Sequence, residues 1–133
     1  YFFKIFFDPT FKSFEYKKLS FKSLSENDVL KLYGKSKIIL DINHPFQKGL
    51  TMRTIEAIGA KKKLITTNSE IKKYTFYNEN NICVIDRDNI HISEEFLNKP
   101  YENISKMMYD DFSLEYWLKR VFTGNINKNW ILK

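Results

Sequence analysis

Apolar positions in this chain fall into two patterns. Short unbroken runs occur at Tyr1–Phe7, Lys37–Ile42, Lys63–Thr67 and Asn81–Asp86. Runs of this length predict strands, and the inner ones read as parallel strands covered on both faces. Asp8-Pro9 ends the first, because proline cannot donate to a ladder and restricts the residue before it. Phe14 to Leu24 holds Tyr16, Leu19, Phe21 and Leu24 between lysines and reads in part as a strand of mixed period. The other pattern is helical. Ser25-Glu26-Asn27-Asp28 predicts a helix start, with Ser25 as cap and Asp28 three residues on. Val29, Leu30, Leu32 and Tyr33 would form its buried face, and Gly34 its end. After Gly49, the residues Met52, Ile55 and Ile58/Gly59 form an apolar stripe, with Arg53, Glu56 and Ala60 on the next one. Ser69 to Tyr74 predicts a short helix, and Ser93 to Leu97 one turn before Pro100. Ser113 to Phe122 reads as a final amphipathic helix capped by Ser113. Strands alternating with helices predict an α/β domain with a parallel sheet and helices on both faces.

Composition alters this picture little. A chain of 133 residues, 43% hydrophobic and 17% aromatic, can bury a core, which argues against disorder. Four glycines and three prolines force few turns, so His44-Pro45 and Lys48-Gly49 stand out. Cys83 is alone, which excludes a disulfide framework or a cysteine metal site, and its strand position predicts a packed core thiol. A lone cysteine is in keeping with a cytoplasmic setting. No signal peptide or membrane-spanning run is visible. The chain opens on Tyr1 inside a strand-like run, so the expectation is a piece of a longer protein or one half of a two-lobed one.

Net charge is +6, carried by lysines spread over Lys17-Lys18, Lys35/Lys37, Lys61-Lys62-Lys63 and Lys72-Lys73. A solvated surface is the simplest reading. Acidic lipid headgroups or a nucleotide diphosphate are the alternatives. Without an arginine stripe or an aromatic RNA-binding signature, nucleic acid is not an expected partner.

Candidate chemistry concentrates in His44 to Ala60, a strand-to-helix loop and the helix after it. Such loops lie at the carboxyl edge of a parallel sheet, where open α/β folds bind ligands. A helix N-terminus there offers free N–H groups and a positive dipole end to a phosphate. Gly49 permits close backbone approach or a positive φ, or is an ordinary loop glycine. Thr51 can cap the helix or bind phosphate. His44 can donate to a phosphate or a sugar hydroxyl, or is a loop histidine held by Pro45. Arg53 and Glu56 share a face and form either a surface ion pair or a split site, Arg53 on phosphate and Glu56 on vicinal sugar hydroxyls. Thr66-Thr67-Asn68 ends the next strand on the same edge. Asp41 needs a partner if buried, and Asp86-Arg87-Asp88 reads as a strand-end turn. GxGxxG, GxxxxGK[ST], HExxH and GxSxG motifs are all absent, which disfavours hydride transfer, P-loop chemistry and serine hydrolysis.

Three segments together resemble a known family: Ser36 to Pro45, Gly49 to Ala60 and Lys63 to Asn68. They look like the C-terminal, donor-binding half of bacterial GT-B glycosyltransferases. The similarity is to the capsular-polysaccharide and lipopolysaccharide type, and to spore-maturation-type enzymes with an Arg-x-x-Glu-Ala helix. Tyr77, Asn81-Ile82, Ile85-Asp86, Pro100-Tyr101 and Ser113 to Leu118 fit the same pattern, so the resemblance spans Tyr16 to Phe122. It implies a Rossmann-like three-layer lobe over residues 1–122, followed by a tail over 123–133. It implies a nucleotide sugar as donor, with the Gly49-Leu50-Thr51-Met52 turn on the diphosphate, Arg53 supporting it and Glu56 on the ribose. His44, Thr67 and Asn68 would complete the crevice. No metal and no cofactor beyond the donor substrate is implied, and helix-end N–H groups would stabilise the departing diphosphate. The acceptor would be a saccharide or a lipid-linked one, at the inner face of the bacterial membrane. It would be held by an N-terminal lobe preceding Tyr1, so this chain alone is expected to bind donor weakly and to be inactive. Against the commoner two-glutamate pattern, Lys48 stands in place of the first acid, and lysines follow Gly59-Ala60. A non-catalytic α/β regulatory or interaction module, receiver- or flavodoxin-like, explains the same alternation.

Overall fold

The computed structural model describes residues 22–124. The expected strands at Tyr1–Phe7 and between Phe14 and Phe21, and the tail beyond Gly124, lie outside the described residues. The chain divides into two compact units, Tyr1–Leu30 and Lys31–Lys133.

Helix α1 (Glu26–Lys35) crosses that division. It begins as the sequence predicts: the Ser25 hydroxyl accepts from the Asp28 amide at 3.2 Å and donates to the Asp28 carboxylate at 2.7 Å. Its expected buried face is not formed. No α1 residue is buried, and Leu30 and Leu32 are exposed. Two residues apart on a helix is 200°, so these leucines cannot share a face, whereas the half-buried Val29 and Tyr33 can.

In the second unit, β1 (Ile38–Asp41), α2 (Met52–Gly59) and β2 (Lys63–Thr66) form a βαβ unit. A 3-10 segment (Ser69–Lys73) leads to β3 (Ile82–Val84). The described strands form an open parallel sheet of order β1-β2-β3, with Ile39 opposite Leu64 and Leu64 opposite Ile82. The expected α/β class with a parallel sheet is therefore present. Three further helices follow: α3 (Glu94–Asn98), α4 (Lys106–Asp111) and α5 (Leu114–Thr123). Ser113 caps α5 as expected, and Ser93 caps α3. Helix α4, capped by Ser105, is not among the expected helices; Met108 and Tyr109, with the flanking Ile104 and Phe112, pack it against the main core.

Strand side chains alternate between faces, so the sheet has two cores. On one face Ile39, Leu64 and Ile82 pack with Ala57 and Ile58 of α2, and with Ile71 and Phe76. On the other, Ile65 and Ile85 pack with Phe96 of α3. Helices thus lie on both faces, but unequally. Central β2 is buried throughout. On β1, at the edge of the described strands, the second face is covered only in part: Ile38 packs against the Ile65, Ile85 and Phe96 cluster, and Leu40 does not. Leu40 (56% exposed) and Ile42 (53%) stand open, which corrects the expectation of cover on both faces.

Of the stripe expected on α2, Ile58 is buried, and the rest of the inward face is shifted. Thr54, Ala57 and Ile58 are buried, while Met52 is 75% exposed and Ile55 only half-buried. The stripe through Met52 and Ile55 instead lines an apolar cavity of about 600 Å³ with Phe112, Leu114 and Trp117. Beyond α2, Lys61 takes φ 52°, and the amides of Lys61 and Lys62 donate to the carbonyls of Ile58 and Ala57 at 3.1 and 2.9 Å. This is a Schellman end, with lysine at the left-handed position that glycine usually fills.

Candidate functional site

At the carboxyl edge of β1 and β2 the chain makes a polar network. Asp41 is 5% exposed and finds the partners its burial demands: the hydroxyls of Thr51 and Thr66 donate to its Oδ2 at 2.8 and 3.2 Å. Thr51 also accepts from the Thr54 amide at 3.2 Å and so caps α2. Its one proton goes to Asp41, which leaves its hydroxyl no hydrogen for a phosphate oxygen. What this end of α2 offers an anion is backbone, the N–H groups of its first turn.

Asn43, next along, is buried and organises the loop. Its side-chain amide donates to the carbonyls of His44 and Gln47 at 3.2 and 3.3 Å. Its Oδ1 accepts from the Thr67 hydroxyl at 2.5 Å, and its own amide donates to Thr67 Oγ1 at 3.2 Å. Arg87 donates to the Asn43 carbonyl, which ties the turn after β3 to the same point. Asn68 donates to the Gly49 carbonyl at 2.9 Å and accepts from the Glu70 amide at 3.1 Å, so one side chain spans both loops.

These contacts frame a polar crevice of about 360 Å³, walled by Asn43, Pro45, Gln47, Lys48, Thr67, Asn68, Ser69, Glu70 and Lys73. A neighbouring hollow of about 370 Å³ shares Thr67 and Ser69 and adds Asp86, Arg87 and Asp88. Thr67 and Asn68 thus line the crevice. His44 is exposed beside it, with its Nδ1 accepting from the Phe46 amide at 3.3 Å. The neutral ring then carries its proton on Nε2, outward, as a donor. Gly49 lacks a positive φ, and a Cβ built there meets nothing within 4 Å, so neither strain nor packing requires glycine at that position.

Leu50 and Met52 belong to the apolar cavity, not to the polar crevice. Arg53 and Glu56 line neither. They do not pair with each other: Glu56 accepts from the Tyr33 hydroxyl of α1, and Arg53 makes no ion pair or hydrogen bond among the described residues. Burial, with the Glu56 hydrogen bond and charge added, pushes the Tyr33 phenol up to about 12. Lys48 belongs to the Lys48-Gly49 turn that the sequence marks; Asn43, Lys73, Arg87 and Tyr33 have no site assignment there. Asn43 alone had a signal, its place at the end of β1 one residue before His44. The others reach the site through contacts distant along the chain.

Lys63 departs from the solvated-lysine reading. It is 3% exposed, its ammonium donates to the Phe96 carbonyl, and it lies 4.5 Å from the Phe96 ring centroid. Burial lowers its pKa, and the Lys99 charge adds to that. Cys83 is a half-buried thiol whose pKa burial raises. Among the described residues no group of His, Cys, Asp or Glu is arranged to hold a metal ion, and no helix is long and apolar enough to cross a membrane. No protein-family model matches this chain, and no curated protein or solved structure matches it either.

Proposed function

We propose that this chain is the nucleotide-sugar-binding lobe of a bacterial surface-polysaccharide glycosyltransferase, Rossmann-like and of GT-B type. The observation that carries the reading is the polar crevice beside the β1–α2 loop, at the carboxyl edge of a parallel sheet. Lys48 in the crevice wall suits a diphosphate there, as does Lys73 once it leaves Glu70, with which it pairs at 2.5 Å; Gly49 and the uncapped N–H groups in the first turn of α2 follow Lys48 along the chain. Arg53, which makes no ion pair or hydrogen bond among the described residues, is available for the phosphate side, and Glu56 one turn deeper accepts ribose hydroxyls. Transfer proceeds through an oxocarbenium-like transition state with a departing diphosphate, whose charge these donors offset. The acceptor, a saccharide or lipid-linked chain at the inner membrane face, is held elsewhere in the enzyme.

The receiver-like alternative asks Asp41 to be a phosphoacceptor. A carboxylate that is 5% exposed and already accepts from two threonines is poorly placed for that. The test is calorimetry and thermal shift of the chain with UDP, GDP, ADP and CMP and their sugars. One nucleotide is expected to bind, and Glu56→Ala to weaken it at least tenfold, the loss of about 1.4 kcal/mol of charged hydrogen bonding. Equal binding by wild type and Glu56→Ala would remove the ribose assignment.

A further inference from the structure

We propose that Tyr33 is the positioning residue for Glu56, presetting its carboxylate for the vicinal hydroxyls of a ribose; this rests on the nucleotide-sugar reading above. Tyr33 lies 23 residues before Glu56 in sequence, and its hydroxyl donates to Glu56 Oε2. Its ring packs against the main core cluster, so the donor stands on a fixed body. With a phenol pKa of about 12, it remains protonated, and so a donor, at neutral pH.

The pairing chosen is informative. An exposed glutamate on a helix ordinarily turns to a cation three or four residues away. Glu56 has Arg53 at that spacing and does not pair with it. It is held by a neutral phenol instead, which leaves the carboxylate its full charge and leaves the Arg53 guanidinium unpaired among the described residues. A carboxylate has about four lone-pair sites. Tyr33 occupies one, so both members of a vicinal diol still find acceptors. Held this way, Glu56 loses its rotamer freedom before the ligand arrives rather than on binding, which raises affinity.

Titration calorimetry on the full chain decides the matter, using UDP, GDP, ADP and CDP and the 2′-deoxy form of whichever binds. Tyr33→Phe keeps the ring in the core and removes one oxygen. It is expected to weaken the ribonucleotide about tenfold and the deoxynucleotide much less. The ribose preference then falls toward that of Glu56→Gln. Glu56→Asp, one methylene short of Tyr33, is expected to lose the same preference and does not disturb the core. Equal weakening of both nucleotides by Tyr33→Phe means that the tyrosine only supports the fold, and overturns the inference. A preference lost in Glu56→Gln but intact in Tyr33→Phe overturns it too, while leaving the donor-lobe reading in place. If wild type binds no nucleotide, the donor-lobe reading fails and takes this inference with it.

Discussion

Thr51 and Gly49, two residues apart, serve the candidate site in opposite ways. Thr51 is committed internally, its proton on Asp41 and its oxygen on the Thr54 amide, so its side chain builds the loop and does not face a ligand. Gly49 has no side chain to commit: its carbonyl accepts from Asn68 at 2.9 Å, its φ is not positive, and its missing Cβ faces open space. Gly49→Ala is therefore expected to stabilise the protein by about 0.5 kcal/mol, through a less flexible unfolded chain. The same methyl stands where a diphosphate would approach the backbone, so nucleotide affinity should fall. Urea denaturation reads the first effect and calorimetry the second. A ligand-free role for the loop predicts the gain in stability without the loss in affinity.

Elements here are held at their ends by local chemistry and aimed by distant packing. Ser25, Thr51, Ser93, Ser105 and Ser113 each accept from an amide three residues on, so helix starts follow from short sequence. The end of α2 is different. Its hydrogen bonds need a left-handed residue, and Lys61 supplies it at φ 52° against the clash of its own Cβ. Lys61→Gly is expected to stabilise the protein by about 1 kcal/mol, reduced slightly by the lost contact of its ammonium, 5.7 Å from the Tyr109 ring centroid. A melting temperature at or below that of wild type would show that the aromatic contact outweighs the backbone strain.

Across the second unit, cohesion is graded from the sheet outward. Strand β2 is buried on both faces, whereas α5 has no buried residue and exposes Leu114, Trp117, Val121 and Phe122. Hydrogen exchange should follow this gradient. The β2 amides are expected to exchange only through global unfolding, and those of α5 orders of magnitude faster through local opening. Mass spectrometry or NMR on the intact chain measures both. Equal protection of α5 and β2 would mean that the apolar face of α5 is covered in solution.

Neighbouring residues alone settle most of the elements. Apolar runs set strands β1, β2 and β3, serine caps set the starts of α1 and α5, and strand–helix alternation set a parallel sheet. Each follows from residues within a few positions of one another, whose periodicity and hydrogen bonding the chain carries wherever it goes. Tertiary structure decided what depends on neighbours distant along the chain. It turned Thr54 and Ala57 inward beside Ile58, in place of Met52 and Ile55, because the sheet, not the widest apolar stripe, sets which face of α2 packs. It buried Lys63 under Phe96, left Leu40 open and gave Glu56 to Tyr33 instead of Arg53. Of the candidate site, the place was legible, since strand ends and a glycine loop mark it. The walls were not: Asn43, Lys73 and Arg87 meet there only because the parallel register brings three strand ends together, and no local pattern encodes that meeting.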